Sequence, residues 1–141
     1  MDEVPAMAAL IGSWRTEGQV FGDDGRTVVA DVRGSDVYEA LGPTVVHHVD
    51  VVIDGRRTRA LEVFEPYDAE RVFPTRAYDD HGGIETSPAV VRDGVWTFSA
   101  GTARATLQVV DDGTSMRADW VVRDEHGDER PWMRLTFSRQ S

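Results

Sequence analysis

Neither cysteine nor lysine occurs anywhere in the chain. The first absence removes disulfides, thiolate nucleophiles and thiolate metal sites. The second removes side-chain Schiff-base chemistry, because all 15 basic residues are arginine. There is no long apolar run either, so no membrane span is expected, and the first residues lack the basic-then-apolar pattern of a secretory signal. Positive charge is in short supply as a whole. Against 25 Asp and Glu the formal net charge is −10, a surface that repels phosphate backbones and anionic lipid, so neither a nucleic-acid partner nor a membrane is expected. The expected location is the cytoplasm. A length of 141 residues suits one domain, residues 1–141, with room for a sizeable core or an internal cavity.

What the chain does contain is strand-forming: β-branched aliphatic residues separated by glycine and Asp-Gly turns. Pro5 to Ile11 reads as a short helix, with Asp2 and Glu3 at its positive end. After Gly12 about ten strands follow in hairpin order, each closed by a turn signal such as Asp54-Gly55, His81-Gly82-Gly83, Asp93-Gly94 or Asp112-Gly113. Consecutive strands without crossovers predict an all-β, antiparallel up-and-down barrel, which leaves no exposed edge.

The stretch from Val37 to Glu65 organises the rest. A two-residue turn at Asp54-Gly55 places Ile53 opposite Arg56, Val51 opposite Thr58, Val49 opposite Ala60, His47 opposite Glu62 and Val45 opposite Phe64, all on one face. That face is the more apolar and is taken as the interior. The turn at Gly42-Pro43 sets Ala40 against Val45 and Tyr38 against His47, so Tyr38, His47 and Glu62 form one polar row across three strands. On the other face Asp50 pairs with Arg59 as a surface ion pair, and Val46, Val52, Leu61 and Val63 form an apolar outer patch that suggests a homodimer or cover by the N-terminal helix. The later hairpins put Val91 opposite Trp96, Ala89 opposite Phe98, Val109 opposite Met116 and Ala105 opposite Trp120, all inward. Carried through a two-residue His81-Gly82 turn, the same face takes Glu85 opposite Tyr78 and Ser87 opposite Arg76. The interior is then two-sided. An apolar wall of Trp96, Phe98, Met116 and Trp120 faces a polar one of Tyr38, His47, Glu62, Arg76 and Tyr78, the composition of a small-molecule pocket.

Gly12-Ser13-Trp14 at the start of the first strand resembles the Gly-x-Trp signature of lipocalin-like (calycin) barrels, and Leu135 to Arg139 resembles their closing strand. A group of short bacterial lipocalin-like proteins is similar over nearly the whole chain, through Gly12-Ser13-Trp14, Glu62-Val63 before Tyr67-Asp68, Tyr78-Asp79 before Gly82, Gly94-Val95-Trp96 and the Trp132-to-Arg139 end. The resemblance implies the barrel, with Arg139 stacked on Trp14 to close it. It also implies a hydrophobic ligand inside, or, as in a minority of such barrels, a cofactor-free cyclase or isomerase of polyketide-type substrates.

Under the enzyme reading His47 is a general base oriented by Glu62, and Tyr38 is a proton donor or an anchor for a carbonyl. Under the plainer one the three are a satisfied buried trio. Arg76 either binds a carboxylate or enolate-like oxygen or neutralises Glu85 or Glu62. No metal site is expected, since the adjacent His47 and His48 point to opposite faces. No cofactor is expected either, although a related barrel family with a similar start binds haem through a histidine, a role for which His47 is the one inward candidate. The leading expectation is a small, largely apolar metabolite carrying a carbonyl or hydroxyl, held by Tyr38, His47, Glu62 and Arg76, with Tyr78 beside them, against Trp96, Phe98, Met116 and Trp120.

Overall fold

The computed structural model describes residues 7–66 and 71–140. Ten strands follow one another: β1 (Gly12–Phe21), β2 (Val28–Leu41), β3 (Thr44–Ile53), β4 (Arg56–Phe64), β5 (Val72–Asp79), β6 (Ile84–Arg92), β7 (Val95–Ala100), β8 (Ala103–Val110), β9 (Ser115–Arg123) and β10 (Glu129–Arg139). Each pairs antiparallel with its neighbours in sequence, and β10 returns to pair with β1, which closes the barrel. Closure removes the unpaired backbone edges that a ten-strand sheet would otherwise offer to other chains.

The central hairpin forms in the expected register, with Ile53 opposite Arg56 and His47 opposite both Glu62 and Tyr38. Asp54 and Gly55 take the positive φ angles, 52° and 74°, that a two-residue type I′ turn demands. Asp93-Gly94 behaves alike and sets Val91 against Trp96. The connection at Asp112-Gly113 is longer, a short 3-10 turn over Asp111–Gly113, yet Val110 still meets Ser115 and Val109 still meets Met116. Adding a residue on each side of a turn leaves the alternation intact.

The β5–β6 turn corrects the expected register. Asp79 N–H donates to Gly83 O (3.0 Å), while Asp79 Oδ1 accepts the N–H groups of His81 (2.8 Å) and Gly83 (2.7 Å). The loop therefore has three residues, Asp80 to Gly82, instead of two, and a one-residue change turns every β5 side chain over. Tyr78 meets Ile84, Ala77 meets Glu85, and Thr75 meets Ser87. Thr75 and Ala77 are turned inward, whereas Arg76 and Tyr78 are exposed on the outside of the barrel.

The short helix expected over Pro5 to Ile11 is not borne out. Pro5 and Ala6 lie outside the described residues; of the rest only Met7 and Ala8 are helical and Ala9 and Leu10 form a turn, with Leu10 N–H on Met7 O (3.0 Å) and Ile11 N–H on Ala8 O (3.2 Å). The turn expected at Pro66-Tyr67-Asp68 also lies mostly outside the described residues.

Met7 and Leu10 are buried in the cluster that contains Trp14, Tyr38, Val45, Phe64, Phe73, Trp96, Met116 and Phe137. These residues come from the beginnings of odd strands and the ends of even ones, so the N-terminal segment plugs one end of the barrel. Its latch is Trp14, wholly buried, whose Nε1–H donates to Leu10 O (2.9 Å) and whose ring lies 4.2 Å below the Arg139 guanidinium. Arg139 in turn donates to Ile11 O (2.7 Å), Ala9 O (3.0 Å) and Gly113 O (2.9 Å). Gly12 stands where it does for two reasons: its φ is +134°, and a Cβ there would sit 2.5 Å from Arg139 Nη1, a group already fixed by three carbonyls.

Candidate functional site

Beyond the plug the barrel is hollow. A cavity of about 270 Å³ lies between Tyr38, His47 and Phe137 at its inner end and Ile53, Thr58 and Ala100 towards the other. Leu107, Ala118, Leu135, Phe98 and Trp120 supply much of the wall, and the exposed Glu85 and Ser99 stand at its rim. A larger hollow of about 530 Å³ is an open groove outside the barrel, where β1 meets β2 and β10 among Glu17, Gln19, Asp31, Arg33 and Arg134. None of the buried polar groups described next reaches it.

Those groups form the floor of the inner cavity. His47 uses both ring nitrogens: Nε2 lies 2.7 Å from Asp36 Oδ2, and Nδ1 lies 3.0 Å from Glu62 Oε1. Thr16 Oγ1 donates to the other Asp36 oxygen. The Tyr38 ring is stacked on the imidazole, with centroids 3.9 Å apart and planes 9° from parallel. Burial alone would lower the His47 pKa, but the hydrogen bonds and charges of Asp36 and Glu62 outweigh it and carry the imidazole from 6.5 up to about 9. At neutral pH the ring is therefore an imidazolium donating to a carboxylate on each side. Burial, reinforced by the charges of Asp36 and Glu62, holds the Tyr38 phenol well above its ordinary value, so it stays a neutral O–H.

This geometry revises the chemistry expected of His47. A general base needs a free lone pair on nitrogen, and here neither nitrogen has one. The same occupancy leaves no nitrogen to serve as an axial ligand to haem iron. Among the described residues no three His, Asp or Glu side chains converge as metal ligands.

Sequence reasoning missed Asp36 and Thr16. The signal was present, since Asp36 precedes Tyr38 by two residues and the Ala40–Val45 register places it opposite Val49 on the same inner face. Of the wall residues expected, Phe98 and Trp120 line the cavity, the latter edge-on to Trp132 (5.8 Å). Trp96 and Met116 face inward but belong to the packed plug, each 1% exposed. Arg76 and Tyr78 are outside, for the turn-length reason given above. The expected Asp50–Arg59 ion pair is replaced by a two-bond contact from Arg57 to Asp50 (3.0 and 2.8 Å), while the backbone N–H of Arg59 donates to Asp80.

Comparison with protein-family models and with curated proteins finds no match. Solved structures do match. Rv2717c from M. tuberculosis superposes with a TM-score of 0.70 at 13% identity, over 100% of this chain and 99% of that one. The S-type phycobiliprotein lyase CPES from Guillardia theta gives 0.72 at 11%, over 100% and 94%. Zebrafish ileal bile acid-binding protein, complexed with cholic acid, gives 0.57 at 14%, over 94% and 99%. The chain has the fold of these lipocalin-like barrels. At such identities the likeness extends to the fold and no further.

The raised His47 pKa makes stability depend on pH in a definite direction. The folded protein holds this proton more tightly than the unfolded chain, so the contribution is complete below about pH 6.5 and is lost as pH rises through about 9. Unfolding free energy, measured with denaturant between about pH 6 and pH 10, is expected to fall by about 3 kcal/mol over that window in the wild type. A His47→Gln variant should lack this fall. An equal fall in the variant would show that another group governs the alkaline limb.

Proposed function

We propose that this lipocalin-like barrel binds a small, largely apolar metabolite in the open half of its interior, with the polar end of the ligand towards Tyr38 and Glu62. The observation that carries the reading is the cavity itself: about 270 Å³, walled by aliphatic and aromatic side chains and floored by a fixed polar cluster. The bile acid-binding protein, solved with cholic acid, and the phycobiliprotein lyase support small-molecule binding as the use of such a barrel. Binding is favoured over a cyclase or isomerase that uses His47 as its base, because both ring nitrogens of His47 are held by carboxylates. We place the protein in the cytoplasm, in keeping with its cysteine-free composition. The half-buried Val46, Leu61 and Val63 on the outer face of β3 and β4 support a homodimer.

Two variants test the site. Native mass spectrometry of the freshly purified protein would give the mass of any resident ligand, and calorimetry with octanol supplies a defined probe. Trp120→Ala should weaken octanol binding by roughly tenfold through loss of an aromatic wall. Ala105→Leu, which fills the cavity from β8, should reduce it further. Octanol affinity unchanged in both, with both variants folded, would put any ligand elsewhere.

A further inference from the structure

The inner row that starts at Tyr38 continues around the barrel. His47 stands opposite Glu62, Glu62 opposite Ala77 and Ala77 opposite Glu85, and all of them line the cavity. Neighbouring strands lie about 4.8 Å apart, so the two glutamates leave the wall about 10 Å from each other, with only an alanine methyl between them. Long acidic side chains on either side of a small residue make a notch that opens into the cavity.

The charges and free hydrogen-bonding groups around this notch are unequal. Three carboxyl side chains line the cavity, Asp36, Glu62 and Glu85, against one cationic group, His47. Lysine is absent from the chain, and none of the 15 arginines lines the cavity. Asp36 has committed both oxygens, one to Thr16 and one to His47, and His47 has committed both N–H groups. Glu62 has committed Oε1 only; among the described residues no hydrogen bond engages its Oε2 or either oxygen of Glu85. A third uncommitted group is the Tyr38 hydroxyl, on a side chain 4% exposed that lines the cavity and makes no hydrogen bond among the described residues. What the floor offers a ligand is therefore acceptors carrying net negative charge, together with one phenol. A carboxylate would meet no cation with a free donor and would be desolvated without compensation. An ammonium would gain charge-assisted hydrogen bonds.

We infer that the cavity selects an amphiphilic amine, its ammonium seated over Ala77 between Glu62 and Glu85 and its apolar part against Phe98, Leu107 and Trp120. This rests on the reading of the cavity as a ligand site and adds the chemical class of the head group. Cholic acid, the ligand solved with the zebrafish barrel, carries a carboxyl group, and no arginine faces this cavity to receive one.

The test is calorimetric titration of the wild-type protein at neutral pH with octylamine, octanol and octanoate, which share one tail and differ in head group. Octylamine is expected to bind about tenfold more tightly than octanol, with octanoate the weakest of the three. Glu62→Gln and Glu85→Gln should each shrink the amine-to-alcohol ratio several-fold; Glu85 is exposed, so its variant tests the notch without disturbing the buried cluster. Octanoate binding as tightly as octylamine would overturn the amine assignment and leave the ligand site standing. A ratio unchanged in both variants would overturn the seat between the two glutamates. Failure of all three probes to bind would overturn the site reading on which the inference rests.

Discussion

Replacing His47 with alanine is expected to cost about 3–5 kcal/mol of stability, the usual penalty for removing one partner of a buried charge pair. The reason is what stays behind. Asp36, whose side chain is 7% exposed, would keep only the Thr16 hydroxyl, and Glu62 would face it across the empty site with no cation between them. A neutral partner lost from a buried site costs less, because no uncompensated charge remains. Denaturant unfolding measures the loss, and a double variant distinguishes its source. In Asp36→Leu/His47→Leu the more deeply buried carboxylate is gone and Glu62 alone is left, so the combined cost should be clearly smaller than the sum of the Asp36→Leu and His47→Leu costs. Additive costs would mean that His47 contributes by packing under Tyr38 and not by neutralising charge. Asp36→Asn gives a spectroscopic counterpart: an NMR titration of His47 should move down from about 9, because the hydrogen bond and charge of Asp36 both hold the pKa up.

Trp14→Ala is expected to be as damaging, at about 3–5 kcal/mol, and to lower Tm by about 10–20 °C. The indole is wholly buried, so its removal empties volume at the centre of the plug. It also frees three other groups at once. Leu10 O loses its donor, the Arg139 guanidinium loses the ring beneath it, and Met7 and Leu10 lose the surface that holds them in the barrel end. Arg139→Lys should cost less, because an ammonium keeps the charge over the ring but cannot serve the carbonyls of Ala9, Ile11 and Gly113 with a planar fork. If Trp14→Ala unfolds with a midpoint near that of the wild type, the plug is not what closes this end.

The two variants probe different halves of the barrel, and the halves differ in how readily the sequence announces them. Gly12-Ser13-Trp14 and the terminal Arg139 are local marks, and they meet as their likeness to lipocalin-like barrels implies. The polar row was readable from turn chemistry, because Asp54-Gly55 and Gly42-Pro43 set the register of three strands and so place Tyr38, His47 and Glu62 side by side. Asp36 completes the cluster and was legible by the same alternation, two residues before Tyr38. Nothing local marks it, since an aspartate in a strand reads first as a solvent-facing residue.

Alternation along strands and the identity of two-residue turns were thus determined by the sequence alone, because side-chain period and positive-φ demand are properties of a few adjacent residues. With them came the ten antiparallel strands, the inward row and the absence of lysine from any site. The tertiary structure decided the rest. A side chain-to-backbone bond from Asp79 made the β5–β6 loop three residues long and turned Arg76 and Tyr78 outward, leaving Ala77 in the row and the cavity without an arginine. Barrel closure decided which inward residues fill and which surround a space: Trp96 and Met116 meet the plug, while Phe98 and Trp120 meet the cavity. Pairing across strands far apart in sequence brought Asp36 and Glu62 to the two nitrogens of one imidazole, converting a candidate base into a fixed cation. Such outcomes depend on distances between residues that only a closed sheet brings together.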